Sequence, residues 1–464
     1  MELRLSFVAE AAGGEQAGGD ATVGGVSFDS RSAAAGDLFV PVMGAHSDGH
    51  DFVGQAVQAG AAAFLWERRR PLPEALEAVP HVLVEDSVRA LQDSARAWRD
   101  RLSVRVVAVT GSNGKTSTKE LVAAVSATVY RTAHSPGNAN SQLGLPRAIL
   151  ELSPDVEVAV LEMGMTEPGQ IARLCEIARP DVGIITMVGE AHLGYLGSRA
   201  AIARAKWELI AALKPGATAI LPDDEPLLRG LPTPDGVRVV RFGETDDADV
   251  RMTGYAANGS AGGAVTLEGG ERFFLPVPGR HQARNALAAI AAGDALRIPR
   301  ERALAAFGGV RAADLHVTVA RLSTHVTIIN DAYNAAPSSV RAALDVLRDS
   351  GADVRVAVLG DMLELGPDSG RMHEEVGASA RDIDHVFVCG SFAADYAKGV
   401  RGGAGLTRGS VVEVGTWEEI VDPLWDTLRS RESAGQSVAV LIKGSRSAGM
   451  ERIAQALERR ADHV

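Results

Sequence analysis

The chain has 464 residues, of which 46% are hydrophobic and 23% are charged, a composition typical of a globular protein rather than a disordered one. A single hydrophobic core does not extend over this length, and about three domains are predicted. The net charge of −12 argues against a general nucleic-acid binder, so we expect no nucleic-acid partner. No apolar run reaches the roughly 18 residues that span a bilayer, and no basic segment leads into an apolar one at the start. We expect a cytoplasmic protein without a membrane partner, and a monomer.

Residues 1–102 are predicted to form a small α/β domain. Apolar residues at helical spacing between 52 and 57 predict a helix, and the apolar segments 61–66 and 81–86 predict short strands. Between 88 and 102, apolar side chains repeat on one helical face, which predicts a helix that leads into the next domain.

Residues 103–315 show strand, turn and helix in alternation, which predicts a mainly parallel sheet covered by helices. The pattern changes between 246 and 278, where short apolar segments separated by Gly and Asn predict antiparallel hairpins. The predicted parallel strands are VRVVAVT (104–110), EVAVLEMG (157–164) and DVGIITMV (181–188), and the predicted helices are 115–130, 168–178, 198–213 and 281–296.

Residues 316–464 alternate strand and helix again and predict a Rossmann-like, doubly wound domain. Its predicted strands are HVTIIND (325–331), VRVAVLGD (354–361), HVFVCG (385–390), VVEVG (411–415) and SVAVLIKG (437–444). The glycine-rich segments 13–20 and 401–409 predict loops. The two cysteines, Cys175 and Cys389, lie far apart in the sequence and predict neither a disulfide framework nor a zinc site.

A glycine-rich loop joins the strand that ends at Thr110 to the next predicted helix. Its glycines let backbone N–H groups converge on phosphate oxygens, and the helix N-terminus adds the positive end of its dipole. The loop is shorter than the usual G-x-x-x-x-G-K-[ST] signature, but it predicts a nucleoside triphosphate site whose lysine neutralises phosphates and whose threonine reaches Mg²⁺. The loop residues are Gly111, Ser112, Asn113, Gly114, Lys115, Thr116 and Ser117.

The rest of the sequence bears on three other interpretations of this loop. A glycine-rich turn with a surface lysine is disfavoured by the strand and helix on either side. A GTPase is excluded because no Asn-Lys pair occurs from which an Asn-Lys-x-Asp base-reading motif could be built. A small-molecule kinase is compatible with the loop alone, but the motifs in the rest of the sequence disfavour it.

Glu162 and His192 follow two predicted strands of the same sheet. Because the carboxyl ends of parallel strands face one crevice, both side chains could meet a metal ion beside Lys115. The alternatives are a surface carboxylate and a loop histidine bonded to the backbone. Lys206 lies in the predicted helix that Ser198 would cap, and its position alone favours a solvated lysine on the helix surface.

Seven motifs occur in order across nearly the whole chain: TGSNGKTST, GNANSQLGLP, LEMG, AHLGYLGSRAAIARAKWEL, GRHQARNALAA, NDAYNAAPSS and VLGDMLELG. In this combination the sequence resembles the ATP-dependent Mur ligases of peptidoglycan synthesis. The stretch from 27 to 53 is similar to the domain of these enzymes that binds the UDP substrate. The resemblance implies a three-domain ligase that uses ATP and Mg²⁺.

The resemblance also implies roles for residues in all three domains. ATP would be bound by the glycine-rich loop, by Asn285 at the adenine, and by Asp331 and Asn334 in the last domain. The catalytic residues would be Lys115, Glu162, His192 and Lys206; the metal would meet Thr116, Glu162, His192 and Lys206, the last carbamylated by CO₂. The substrates would contact Ser30, Arg31, Asp48, Gly49 and His50 at the UDP end, Asn140, and Lys443, Ser445 and Arg446 at the dipeptide or the phosphates. A solvated turn is the alternative for the last three.

Within the family, the motifs of the last domain are most similar to the ligase that joins D-alanyl-D-alanine to UDP-N-acetylmuramoyl-tripeptide through an acyl phosphate. The Asp-Asn-Pro-Arg motif usual in the preceding ligase of the pathway does not occur. The chain departs from the usual family pattern at Ser141, Met187, Gln282 and Ala336. Another amide ligase of this architecture with a different amine, and a nucleotide-binding relative without turnover, remain alternatives.

Overall fold

The computed structural model describes residues 2–44, 47–402 and 410–461. The chain forms three α/β units in sequence order, built on a five-stranded, a nine-stranded and a six-stranded sheet. The predicted fold class is confirmed: a small N-terminal α/β domain, a central domain on a mainly parallel sheet and a C-terminal doubly wound domain. The boundaries placed after residues 102 and 315 stay predictions.

The N-terminal unit contains one five-stranded sheet and three helices. Its elements are β1 (Leu3–Arg4), α1 (Leu5–Ala12), β2 (Glu15–Ala17), β3 (Thr22–Val23), β4 (Gly25–Ser27), β5 (Asp37–Phe39), α2 (Val53–Gln58), β6 (Ala63–Glu67), β7 (His81–Val84) and α3 (Ser87–Arg101). The sheet order is β2-β7-β6-β5-β4, parallel except for β2, and β1 pairs separately with β3. The long helix α3 leads into the central unit, as its apolar face predicts.

The central unit is built on the nine-stranded sheet. Its elements are β8 (Arg105–Thr110), α4 (Lys115–Ala127), β9 (Thr132–His134), α5 (Gly144–Leu150), β10 (Val158–Glu162), α6 (Gln170–Ala178), β11 (Val182–Ile185), α7 (Leu193–Leu196), α8 (Arg199–Ala211), β12 (Thr218–Pro222), α9 (Pro226–Arg229), β13 (Arg238–Gly243), β14 (Val250–Ala257), β15 (Gly263–Leu267), β16 (Arg272–Leu275), α10 (Arg280–Ala295) and α11 (Arg300–Ala306). The order is β16-β15-β14-β13-β12-β11-β8-β10-β9, and only β14, β15 and β16 pair antiparallel, as the hairpin pattern predicts.

Strand β8 lies inside this sheet and is covered on both faces. Val107 and Val109 pack in the core that contains α4 and α10, whereas Val106 and Ala108 pack in the core that contains α5, α6 and α8. This alternation follows from the period of two along a strand. It fixes the carboxyl end of β8, and hence the start of the glycine-rich loop, between its neighbours β10 and β11.

The C-terminal unit is doubly wound around the six-stranded sheet. Its elements are β17 (Thr318–Arg321), β18 (Val326–Asn330), α12 (Pro337–Arg348), β19 (Val354–Leu359), α13 (Ser369–Ser379), β20 (His385–Cys389), α14 (Ala393–Arg401), β21 (Ser410–Val414), α15 (Glu418–Ser433), β22 (Val438–Lys443) and α16 (Glu451–Ala461). The order is β17-β18-β22-β19-β20-β21, parallel except for the edge strand β17, which the sequence pattern did not predict.

Two loop predictions have different outcomes. The loop predicted over 13–20 is wrong at Glu15–Ala17, which form β2 and pair antiparallel with β7. These residues have low strand propensity, and they form a strand because the edge of β7 offers free backbone partners. The loop predicted over 401–409 lies outside the described residues from 403 onward, and Arg401 ends α14. Cys175 and Cys389 are both free and buried.

In the part of the chain that the structure describes, no helix combines the length and the apolar character that a bilayer span requires.

Candidate active site

The glycine-rich loop turns between the end of β8 and the start of α4. Gly114 is the N-cap of α4 and adopts φ 79°, a left-handed conformation that favours glycine. A Cβ atom at Gly114 would lie 2.7 Å from Oδ1 of Asn285 on α10, so this position also requires a residue without a side chain. The close approach leaves the N-terminal N–H groups of α4 at a cavity, where they suit an anionic ligand.

Lys115 opens α4 and folds back over the loop. Its Nζ donates a hydrogen bond to the Gly111 carbonyl oxygen at 3.0 Å. Burial lowers the pKa of the Lys115 amine, and the nearby Glu162 carboxylate acts in the opposite direction. The lysine is thus held at the loop, in the position from which a phosphate could replace the carbonyl as its partner.

Glu162 ends β10 and is only 1% exposed. The Thr116 hydroxyl donates to Oε2 of Glu162 at 2.8 Å, and Nδ2 of Asn140 donates to Oε1 at 2.7 Å. The predicted meeting of strand end and phosphate loop is therefore found, with Asn140 beside them. A carboxylate and a hydroxyl next to a phosphate loop are oxygen donors of the kind Mg²⁺ prefers, so the side chains present fit that ion.

Within the described residues, no cluster of three or more His, Cys, Asp or Glu side chains could hold a metal ion by itself. An ion at Glu162 would therefore take its other ligands from a nucleotide and water, as is common for Mg²⁺.

His192 is the N-cap of the short helix α7 and adopts a left-handed conformation with φ 64°. Its Nδ1 lies 2.7 Å from Oε2 of Glu364 in the C-terminal unit, without the alignment of a hydrogen bond. Burial lowers the pKa of His192; Glu364 opposes this shift, and the cations Lys115 and Lys206 reinforce it. A neutral imidazole is expected at neutral pH, able to accept a proton or bind a cation.

Lys206 lies on α8 and is 2% exposed, so the interpretation as a solvated helix lysine is wrong. Burial, followed by repulsion from Lys115, lowers the pKa of its amine well below the usual value, and no carboxylate of the described chain opposes this shift. Ser198 caps the helix as predicted, its hydroxyl accepting a hydrogen bond from the Ala201 N–H at 3.2 Å. A buried amine with a depressed pKa is a nucleophile, because its neutral form is populated.

The C-terminal unit brings a second set of side chains to the same place. Lys443 ends β22, is 2% exposed, and donates to Oδ2 of Asp331 at 2.7 Å and to the Asn334 carbonyl oxygen at 2.9 Å. His316 stacks on Tyr333 with ring centroids 3.9 Å apart, and the Arg446 guanidinium lies 5.0 Å from the Tyr333 ring centroid. Lys443 thus fixes the loop after β18.

The central and C-terminal units enclose a cavity of about 1010 Å³. They touch across it, because Nδ2 of Asn113 donates to the Ser338 hydroxyl at 3.0 Å and the Gly194 N–H donates to the Glu364 carbonyl at 2.8 Å. The predicted site residues that line the cavity are Ser112, Asn113, Gly114, Lys115, Thr116, Ser117, Asn140, Glu162, His192, Asn285, Asp331, Asn334, Lys443 and Arg446.

Sequence comparison supplies the family. Three family models match in succession: the Mur ligase family catalytic domain at residues 22–99, the Mur ligase middle domain at 109–293, and the Mur ligase glutamate ligase domain at 317–446. The UDP-N-acetylmuramoyl-tripeptide–D-alanyl-D-alanine ligase of Bacillus subtilis is 38% identical over 93% of this chain and 93% of its own length. The chain belongs to the Mur ligase family.

Other relatives are also similar to this chain along nearly its whole length. The enzyme of the same name from Escherichia coli is 34% identical over 99% of both chains. Among solved structures, MurF from Acinetobacter baumannii superposes with a TM-score of 0.87 at 28% identity, covering 99% of both chains. MurF from Thermotoga maritima in complex with ADP gives a TM-score of 0.81 at 28% identity, covering 95% of this chain and 98% of that one.

Several predicted residues lie away from the cavity lining. Gly111, Lys206 and Ser445 belong to its surrounding structure, and the Ser445 hydroxyl accepts a hydrogen bond from the Leu363 N–H at 2.9 Å. The predicted UDP contacts Ser30, Arg31, Asp48, Gly49 and His50 are in the N-terminal unit and do not line it. In that unit, the Asp48 carboxylate pairs with His50 and forms an ion pair with Arg70. The Ser30 hydroxyl donates a hydrogen bond to Gln55, and the Arg31 guanidinium donates to Asp29.

Sequence reasoning missed Tyr333, Ser338 and Glu364 as individual site residues. All three line the cavity, and each lies within a motif that was noted only as a whole, NDAYNAAPSS or VLGDMLELG. Their signal was an aromatic, a hydroxyl and a carboxylate placed just after predicted strands, where a doubly wound sheet exposes its crevice.

Proposed function

We propose that this chain is an ATP-dependent ligase that joins D-alanyl-D-alanine to UDP-N-acetylmuramoyl-tripeptide and so makes the pentapeptide precursor of peptidoglycan. The observation that carries the proposal is the cavity shared by a phosphate loop and a second domain, in a chain whose full-length relatives bear that name. The substrates are small molecules, and no nucleic acid or membrane is needed. We also propose that the protein is a cytoplasmic monomer.

The first step joins the tripeptide carboxylate to phosphate. A carboxylate oxygen attacks the γ-phosphorus of ATP, the bond from that phosphorus to the bridging oxygen breaks, and ADP leaves with the electron pair. Two anions must approach each other, so positive groups must offset their charge. Lys115 and the N–H groups at the start of α4 supply this from the chain itself.

The second step forms the amide bond. The neutral amine of the dipeptide attacks the acyl carbon of the acyl phosphate, the carbon–oxygen bond breaks, and inorganic phosphate leaves. The amine must lose a proton, which requires a base near the cavity. His192 is our candidate, because burial lowers its pKa and leaves the imidazole neutral, with Glu364 2.7 Å away to stabilise the cation it becomes.

The metal site would be held by Glu162 and Thr116, with His192 nearby. Magnesium, when bound there, would offset the negative charge on the nucleotide phosphates. The chain fixes the Glu162 carboxylate for this purpose through hydrogen bonds to both of its oxygens. Lys206 is proposed as a carbamate: its neutral amine nitrogen would bond to the carbon of CO₂ and release a proton, giving an anion that could orient a second cation.

The remaining assignments concern the ends of the substrates. We propose that Asn285 contacts adenine and that Asp331 and Asn334 contact the nucleotide from the C-terminal domain. Ser30, Arg31, Asp48, Gly49 and His50 would hold the UDP group, and Asn140, Lys443, Ser445 and Arg446 would contact the other substrate groups. Domains of 1–102, 103–315 and 316–464 would then each bind one part of the reactants and close around them.

The test is phosphate release by the purified protein with Mg²⁺-ATP and UDP-N-acetylmuramoyl-tripeptide, with and without D-alanyl-D-alanine, followed by mass detection of the product. Release that depends on both substrates, with the mass of the pentapeptide, is the expected result. ATP hydrolysis that the dipeptide does not increase would contradict the proposal, and assays with diaminopimelate- and lysine-containing tripeptides would define the third residue.

A further inference from the structure

Lys119 is a fully buried lysine on α4, one turn after Lys115. Its Nζ donates hydrogen bonds to the carbonyl oxygens of Ser135 at 2.7 Å and Gly137 at 3.0 Å, and lies 2.9 Å from Oε1 of Glu120. A buried ammonium group is costly unless it is paired and bonded in this way. The arrangement therefore holds the backbone at 135–137 in one place.

Residues 135–140, which we term the asparagine loop, lead from β9 towards α5. At its first residue, the Ser135 hydroxyl accepts a hydrogen bond from the Glu162 N–H at 2.9 Å. At its last residue, the Asn140 amide donates to Oε1 of Glu162 at 2.7 Å, and the Asn140 carbonyl accepts from the Gly164 N–H at 2.8 Å. Both ends of the loop therefore contact the end of β10.

Helix α4 thus reaches the Glu162 carboxylate by two routes. The Thr116 hydroxyl bonds directly to Oε2 of Glu162. Lys119 lies three residues later on the same helix face. It contacts Oε1 only indirectly, because it bonds to the asparagine loop, whose Asn140 donates to Oε1. We propose that Lys119 is a positioning residue that fixes the asparagine loop so that Asn140 orients Glu162 for a divalent cation. The inference rests on the magnesium site proposed above.

A lysine suits this position better than an arginine. The ammonium group is compact and can direct separate N–H bonds to two carbonyls that are two residues apart in the loop, whereas a guanidinium is planar and larger. Lys119 has no exposed surface into which a longer side chain could extend. Loss of the amine would free two carbonyls and allow the loop to shift, and the groups that orient a metal ligand typically matter 10- to 100-fold for metal affinity.

The experiment is calorimetric titration of ADP into the full-length protein at a series of Mg²⁺ concentrations. In Lys119→Met, the Mg²⁺ concentration that gives half of the maximal effect should rise about tenfold, while ADP binding without Mg²⁺ changes less than twofold. Lys398→Met, which removes an exposed lysine paired with Glu374 in the C-terminal unit, is the matched control and should behave like the wild type.

A double-mutant cycle with Asn140→Ala tests the route. If Lys119 acts through Asn140, the double variant should need no more Mg²⁺ than Asn140→Ala alone; additive effects would overturn the inference. If Lys119→Met does not fold, Lys119→Gln keeps a shorter neutral donor and should give a smaller rise, and an unchanged Mg²⁺ dependence would again refute the inference. If the ADP affinity of the wild type did not change with the Mg²⁺ concentration, the proposed metal site itself would be refuted.

Discussion

The substitution Gly114→Ala tests whether the phosphate loop is fixed by its close contact with α10. Gly114 adopts φ 79°, and an alanine there costs about 1–2 kcal/mol in the left-handed region. The new Cβ would also lie 2.7 Å from Oδ1 and 3.2 Å from Nδ2 of Asn285. Asn285 must then move and lose its 3.0 Å hydrogen bond to Gln282, a further loss of about 1 kcal/mol.

Gly169→Ala is a control that separates these two effects. Gly169 is likewise the N-cap of a helix, α6, with φ 85°, but a Cβ there would meet nothing within 4 Å. It should lose the same 1–2 kcal/mol of unfolding free energy from backbone strain alone. Gly114→Ala should lose about 1 kcal/mol more and should also bind ADP about tenfold more weakly, since the loop and Asn285 both shift.

Urea denaturation gives the unfolding free energies, and calorimetric titration gives the ADP affinities. If Gly114→Ala bound ADP as tightly as Gly169→Ala, the contact with Asn285 would have no bearing on the position of the loop. Equal stability losses in the two variants would likewise show that the Asn285 side chain yields without cost.

Lys206→Ala should reduce ligation by about 100- to 1,000-fold and recover partly with added short-chain carboxylic acids, and full activity in Lys206→Arg would remove the carbamate proposal. Lys443→Met should lower the unfolding free energy by about 1–3 kcal/mol, because three oxygen acceptors lose their donor, whereas Lys398→Met should change it little. Burial lowers the pKa of His373, so the unfolded chain binds more protons below pH about 6.5 and stability falls as the pH drops. His373→Gln should make that fall less steep than in the wild type, in urea denaturation series between pH 7.5 and pH 5. Equal slopes in the two proteins would contradict this prediction.

Much of the fold follows from local pattern. The end of the strand at Thr110 and the start of the helix at Lys115 were predicted correctly, because an apolar run and two glycines mark both positions, whereas the helix ends at Ala127 and not at the predicted residue 130. The antiparallel hairpins of β14 to β16 were also predicted, from short apolar segments separated by Gly and Asn. Strands β2 and β17 are among those that the pattern did not predict; each lies at the edge of a sheet, where the partner strand supplies the hydrogen bonds and the sequence carries little signal.

The site was less accessible to sequence reasoning. The pattern placed Glu162 near the phosphate loop, since the ends of parallel strands share one crevice. The sequence pattern did not identify the hydrogen-bond partners of the two Glu162 oxygens, because these partners depend on the order β8-β10-β9 in the sheet. Burial of Lys206 also depends on how α8 packs on the sheet, which helical spacing alone left open between core and solvent.

Most of the few lysines of this chain lie in or beside the proposed active site. The chain has 47 basic residues, and only six of them are lysines: Lys115, Lys119, Lys206, Lys214, Lys398 and Lys443. Three of these six are at most 2% exposed, and burial lowers the pKa of a fourth, Lys115. Lys119 and Lys443 each bond two or more backbone carbonyls, and the carbamate proposed at Lys206 requires a neutral amine, which a guanidinium does not provide.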